Sequence, residues 1–353
     1  MGMNKKIPVA VLAATGSVGQ RFVQLLEGHP WFELVCVTGS DKRTGEAYGD
    51  TCHWILPEPM PEFVKNMEVV PTEPELADVP LVFSALPKNI AADVEPLFAR
   101  AGKAVCTNAG AFREGRDVPV LLPEVNSDHI KLIPIQRKNR GWSGFIVTNP
   151  NCTSTGTTIA LKALMDSFGL KKVFAVSLQA MSGAGYPGVA SMDIVDNVIP
   201  FIKNEEEKFE WEPRKMLGTL KKNTIDLAEI VFSTHTNRVS VTDGHLVCLS
   251  VELENKTSPE EAVEAFKTYQ APQASRNLPS TPDPIILVSE SPDRPQPRLD
   301  RMTGKGMTTV VGRVRRDPIF DLKFLVLSHN TIRGAAGGSI YNAELLVNAG
   351  FIG

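Results

Sequence analysis

Cys152 lies in Val147-Thr-Asn-Pro-Asn-Cys152-Thr-Ser-Thr-Gly156, a polar turn between the apolar run Phe145-Ile-Val147 and a second run from Thr157 to Leu164. The pattern predicts a strand, a turn and then a helix, with the thiol in the first helical turn. Free N–H groups and the helix dipole favour a thiolate there. The same amides can hold a developing oxyanion. This is the layout of a covalent cysteine enzyme acting on a carbonyl. A buried structural thiol is the competing reading, and the polar flanks weigh against it.

The elements that must carry this cysteine fall into two styles. Pro8–Ala13 reads as a buried strand, followed by a glycine-containing turn and the amphipathic helix Gln20–Leu26. A second strand, Phe32–Thr38, completes a βαβ unit. Strand Leu81–Ala85, a helix from Ile90 to Ala101 and strand Ala104–Thr107 continue the alternation. Alternating strands and helices over the first 150 or so residues imply a doubly wound parallel sheet of α/β class. The middle is strand-rich: Lys172–Ala180, Val231–Ser233, Arg238–Val241, His245–Leu253 and Thr308–Val314, with a hairpin signal at Asp243-Gly244. These strands predict a mixed or antiparallel sheet, hence a second, α+β domain. Residues 270–300 read as loop. The small-residue segment after Asn330 becomes helical and is expected to pack back on the first domain.

Composition excludes several function classes. The chain has 353 residues, 42% hydrophobic and 22% charged, with a net charge of -3. There is no basic bias for nucleic acid and no charge block. Five cysteines without CxxC spacing argue against a disulfide framework or a zinc site, so no metal is expected. A reducing, cytoplasmic compartment fits. No apolar stretch is long enough to span a bilayer.

The turn Ala13-Ala-Thr15-Gly16-Ser17-Val18-Gly19 sits between the first strand and the first helix, where a backbone can approach a pyrophosphate. It departs from GxGxxG at Ala13. Its place at the head of a βαβ unit supports nucleotide binding over a plain turn. After the second strand, Ser40-Asp-Lys42-Arg43-Thr44 offers hydroxyls and two cations, which suits the 2′-phosphate of NADP better than the ribose of NAD. A solvated loop is the alternative.

The glycine turn, Asn-Pro-Asn-Cys152-Thr, Asn237-Arg238 with Asp243-Gly-His245, Gly334-Ala-Ala-Gly-Gly338 and Asn342-Ala-Glu-Leu-Leu346 together resemble the aspartate-semialdehyde dehydrogenases, in particular their archaeal and fungal branch. The resemblance runs from about residue 7 to the end. It implies an NADP-binding Rossmann domain of residues 1–151 and 330–353, and a catalytic and dimerisation domain of residues 152–329. It implies reductive dephosphorylation of L-4-aspartyl phosphate to aspartate semialdehyde with NADPH, through a cysteine thioester, in lysine, threonine, methionine and isoleucine biosynthesis. Inorganic phosphate is the other product, and self-association as a dimer or tetramer is expected.

By resemblance, Cys152 is the nucleophile, His245 the acid–base residue and Gln179 the substrate-orienting amide. Arg238 would grip the substrate carboxylate, from a strand paired across a hairpin with that of His245. Glu205 would bind the amino group, with the register within Glu205–Glu207 open by one. Lys208, one turn on, would bind phosphate together with Arg113 and Asn108. Thr15, Gly16, Ser17, Val18, Ser40, Lys42, Arg43, Thr44, Ser84, Leu86, Ser182, Gly183, Asn330 and Gly334 would line the cofactor. Each of these polar residues also has a bland reading: a loop arginine, a salt-laced solvated helix, a strand-end histidine. Two related enzymes share the layout, N-acetyl-glutamyl-phosphate reductase and malonyl-CoA reductase. A nucleotide-binding regulatory protein is the non-enzymatic alternative, which need not keep Cys152 and His245 together.

Overall fold

The computed structural model describes residues 5–40 and 43–353. Six strands form a parallel sheet: β1 (Ile7–Leu12), β2 (Phe32–Gly39), β3 (Val69–Pro71), β4 (Leu81–Ser84), β5 (Ala104–Thr107) and β6 (Phe145–Thr148), in the order β3-β2-β1-β4-β5-β6. Strands β4, β5 and β6 are buried at every position, as expected where helices cover both faces. The chain steps from β1 to β2 on one side and to β4 on the other. The carboxyl ends of β1 and β4 therefore flank a topological switch point, where this architecture opens a crevice.

Eight further strands follow. They are β7 (Lys172–Gln179), the hairpin β8 (Thr219–Leu220) with β9 (Ile225–Asp226), β10 (Val231–Arg238), β11 (His245–Glu252), β12 (Ile286–Ser289), β13 (Thr309–Arg316) and β14 (Leu322–Ser328). Six of them make a mixed sheet in the order β10-β7-β11-β14-β13-β12. One face packs on helix Cys152–Phe168, where Ile159, Leu161 and Leu164 meet Val173, Ala175, Val247 and Val326. The other face alternates out of register with that core, as a strand period of two requires. It carries the half-buried Phe174, Val176, Leu178, Leu246, Cys248 and Leu325.

One expectation fails here. Arg238 and His245 do not face each other across a hairpin. Arg238 ends β10 rather than beginning a strand, β10 runs parallel to β7, and β7 lies between β10 and β11. His245 thus starts an interior strand, not an edge. The Asp243-Gly244 signal marks a crossover connection whose two strands pair with a third.

Helix Gly337–Asn348 returns to the parallel sheet, where Ile340, Tyr341, Leu345 and Leu346 share a core with Val9, Val11, Phe22 and Phe83. It is preceded by a one-turn π-helix, Ile332–Ala336, in which Arg333 is completely buried and forks onto the equally buried Glu124. Among the described residues, no helix is long and apolar enough to cross a membrane.

Helix Lys88–Arg100 carries Glu95, fully buried under β4 and β5. Its carboxyl accepts from Thr107 Oγ1 and lies against the Ser84 hydroxyl. Burial raises this carboxyl to about 7. Because the folded value exceeds the unfolded one, its contribution is fully present below pH ~4.5 and is lost as pH rises through ~7, a swing of about 3 kcal/mol. Glu95→Gln keeps the neutral shape. Its denaturation midpoint should exceed that of the unmodified chain at pH 8, and the gap should close at pH 4.5. An equal gap at both pH values would remove the titration argument.

Candidate active site

Helix Cys152–Phe168 starts at the nucleophile candidate because Asn151 caps it: Asn151 Oδ1 accepts from Thr153 N at 2.9 Å and from Ser154 N at 3.3 Å. Those two amides are therefore taken, while the N–H of Cys152 itself lies against its own sulfur. Cys152 Sγ lies 3.2 Å from His245 Nε2. His245 Nδ1 accepts from the Ala180 backbone N–H at 3.0 Å. A ring nitrogen that accepts carries no proton, so neutral His245 holds its proton on Nε2, toward the sulfur. The pair is a thiol and an imidazole donor, which is only the donor half of an acid–base role.

Electrostatics keep this pair neutral. Burial, then Arg238 and His329, bring His245 down to about 3. Burial, then the Glu205 carboxylate, push the Cys152 thiol up to about 12, although the residue keeps a partly open face to the cleft. Arg113, Arg238 and the cysteine's own N–H act the other way. Burial outweighs the helix N-terminus, and the resting nucleophile is a thiol.

The remaining catalytic and substrate candidates converge on this pair. Gln179, at the end of β7, donates to Glu205 Oε1 at 3.3 Å and to Ser177 Oγ at 3.2 Å. Arg238 is buried at the end of β10, and its Nη1 donates to Ala180 O at 2.7 Å. Helix Glu205–Met216 places the three glutamates differently. Glu205 is buried and accepts from Asn151 Nδ2 at 2.8 Å, whereas Glu206 accepts from Thr236 N and Glu207 is exposed. Lys208 Nζ sits 3.4 Å from Glu205 Oε2. Arg113 is buried and well anchored: Nε donates to Asn149 O, Nη2 to Asn108 O and Nη1 to Glu212 Oε1. Asn108 Nδ2 is buried without a partner.

Gly183 shows how tightly the site is roofed. A Cβ there would stand 2.9 Å from Arg238 Nη1 and 3.1 Å from His245 Cε1. Ser182 is tied to Asn330, whose Nδ2 donates to its Oγ at 2.7 Å. Gly334 lies against the nucleophile, since a Cβ there would be 2.8 Å from Cys152 Cβ.

The nucleotide turn fits a pyrophosphate. Ala13, where a first glycine was expected, has φ 57°. A Cβ on Gly19 would come within 2.4 Å of Ala13 O, so close packing of helix on strand requires glycine there. Helix Ser17–Leu26 has no side-chain cap, which leaves its first N–H groups open beside the exposed or half-buried Thr15, Gly16, Ser17 and Val18. Ser40 is exposed beyond β2, and Arg43 Nη1 donates to Thr51 O. Thr44 follows at the same loop, and Lys42 lies outside the described residues. Leu86 is buried at the end of β4. Ser84 departs from the expectation: it is completely buried beside Glu95, its carbonyl taken by Asn108 N, so it supports the turn rather than facing a ligand. Among the described residues, no three His, Cys, Asp or Glu side chains converge as metal ligands.

Sequence reasoning missed Glu212, Glu124, Arg333 and the Ala180 amide. Glu212 alone had a legible signal, seven residues after Glu205 on the same helical face.

Residues 8–133 match the family described as semialdehyde dehydrogenase, NAD binding domain, and residues 161–333 match semialdehyde dehydrogenase, dimerisation domain. An aspartate-semialdehyde dehydrogenase of Archaeoglobus fulgidus is 52% identical over 96% of this chain and 97% of its own length. That of Saccharomyces cerevisiae is 40% identical over 97% of this chain and 98% of its own length. The crystal structure of the Candida albicans aspartate semialdehyde dehydrogenase with NADP superposes with a TM-score of 0.91 at 39% identity, covering 98% of this chain and all of that one. The chain belongs to the aspartate-semialdehyde dehydrogenase family.

Proposed function

We propose that the chain reduces L-4-aspartyl phosphate to L-aspartate 4-semialdehyde with NADPH through a thioester on Cys152, in the supply of lysine, threonine, methionine and isoleucine. The carrying observation is the 3.2 Å pair of Cys152 Sγ and His245 Nε2, with Arg238, Glu205 and Arg113 all close enough to bias the thiol. Arg238 receives the substrate carboxylate and Glu205 the amino group, while Lys208 and Arg113 face the phosphoryl end. Gln179 orients the acyl group. Cys152 attacks as the thiolate, its proton passing to the departing phosphate: the C–S bond forms, the C–O bond to phosphate breaks, and inorganic phosphate leaves with that proton. His245 Nε2–H donates to the sulfur and then to the oxygen that gains charge. The turn Thr15–Val18 holds the pyrophosphate of NADPH, which would supply the hydride that reduces the thioester. Collapse of the resulting thiohemiacetal breaks the C–S bond, frees the aldehyde and restores Cys152.

On this reading, residues 1–151 and 330–353 form the cofactor domain and residues 152–329 the catalytic and dimerisation domain. Five free cysteines suit a reducing cytoplasm. The open sheet face supplies the dimer contact, because Leu178 pairs with Leu246 and Val176 with Cys248 in one apolar patch. Leu246→Asp should therefore give monomers by light scattering. A dimer that survives would move the interface elsewhere.

The test follows phosphate-dependent NADP reduction with aspartate semialdehyde and, in parallel, N-acetylglutamate semialdehyde and a CoA-dependent assay with malonate semialdehyde. Turnover on the first substrate alone supports the reading. Turnover only on either of the others would replace it.

A further inference from the structure

Helix Glu205–Met216 carries four charged residues on one stripe: Glu205, Lys208, Glu212 and Lys215, spaced by three, four and three. The first two face the site. The other two are buried, Glu212 1% exposed and Lys215 3% exposed. Glu212 spends both carboxylate oxygens on two different parts of the site. Oε1 accepts from Arg113 Nη1 at 2.9 Å, and Oε2 accepts from the Asn151 backbone N–H at 2.6 Å. Arg113 Nε in turn donates to Asn149 O at 3.0 Å.

Arg113 and Glu212 thus hold both ends of Asn149-Pro150-Asn151, the three residues that deliver Cys152 to the first turn of its helix. Lys215, nearly one turn further on, donates Nζ to the carbonyls of Arg113, Gly115 and Val118, and so fixes the loop that carries Arg113. Three of the five guanidinium N–H groups are committed to Asn149, Asn108 and Glu212. One remains on each terminal nitrogen for an anionic ligand.

We propose that Glu212 is a positioning residue which, through one carboxylate, sets the direction of the Arg113 guanidinium toward an oxyanion of phosphate and the placement of the Cys152 turn. This rests on the functional reading above in assigning phosphate to Arg113. Glutamine at 212 has one acceptor where two donors converge, and turns an N–H toward the other. Arg113 then loses its counter-charge and its aim together.

The experiment uses the full-length enzyme and Glu212→Gln, with a thermal melt to establish folding. The expected result is a rise of about tenfold or more in KM for inorganic phosphate, with KM for the aldehyde within about twofold, the scale of losing one charge-assisted contact. In the absence of any substrate, the pH profile of iodoacetamide alkylation at Cys152 should shift to lower pH. The uncompensated guanidinium favours the thiolate and moves the midpoint of the profile, whereas mere loosening would raise its limiting rate and leave the midpoint in place. Glu212→Asp keeps the charge with a shorter reach and should recover part of the phosphate KM; it carries the test if the glutamine variant does not fold. Phosphate and aldehyde KM values that move together, with an unshifted alkylation profile, overturn the proposal. Absence of phosphate dependence in the unmodified enzyme would instead sink the functional reading, and the alkylation profiles would still decide the role of Glu212 at the thiol.

Discussion

Cys152→Ala should lower phosphate-dependent turnover by about 10⁵-fold or more, the scale of deleting a nucleophile from a covalent mechanism, while leaving the Kd for NADP within about twofold. The other cysteines lie elsewhere: Cys36 and Cys106 within β2 and β5, Cys52 against the Thr15 carbonyl of the nucleotide turn, and Cys248 on the opposite face of the strand that begins with His245. The nucleotide turn is built on β1 and the helix after it, so cofactor affinity is independent of the thiol. The same residue carries a pH signature. With the resting thiol pushed up to about 12, its thiolate fraction grows as pH rises toward that value. Alkylation of the substrate-free enzyme at Cys152 should climb roughly tenfold per pH unit between pH 7 and 9. A plateau below pH 8 would mean that the thiolate is preformed, and that the helix N-terminus outweighs burial after all.

Glu124→Ala should destabilise the chain by about 3–5 kcal/mol, the cost of leaving a buried charge without its partner. Its partner Arg333 is 0% exposed, and both nitrogens of one side of its guanidinium fork donate to Glu124. The double variant Glu124→Leu with Arg333→Met should recover most of that loss, because the penalty belongs to the unpaired charge rather than to the absent pair. Turnover should recover less than stability does. Arg333 precedes Gly334, whose carbonyl accepts from Asn149 Nδ2 and whose backbone lies against Cys152. The ion pair therefore helps hold a distant segment against the nucleophile. Denaturant titrations of the single and double variants check the first expectation, and their turnover numbers the second. A single variant as stable as the parent would show that Arg333 finds another partner or reaches solvent.

Much of the site was legible because short-range patterns encode it. A strand, a polar turn and a helix around Cys152 can be read from apolar runs and turn residues, and Asn151 caps the helix as its residue type favours. Glu205 and Lys208 share a helical face by spacing alone, and the same spacing extends to Glu212 and Lys215. The Ala13-to-Gly19 turn was readable despite its missing first glycine, and Ala13 adopts the positive φ that the position requires.

What spacing cannot encode is which strands become neighbours. The six residues between Arg238 and His245 read as a hairpin, yet the two strands are separated by β7, and Ala180 beyond β7 is what both side chains touch. Pairing depends on how whole apolar faces are buried, and local turn chemistry is subordinate to that. The sequence by itself determined the chemistry: one thiol at a helix start, a nucleotide turn, and the order of parallel then mixed sheets. The tertiary structure alone decided the protonation states. Only folding surrounds Cys152, His245 and Glu95 with low-dielectric walls and chosen charges, and the free energy of a charge depends on everything within several ångströms of it rather than on its neighbours along the chain.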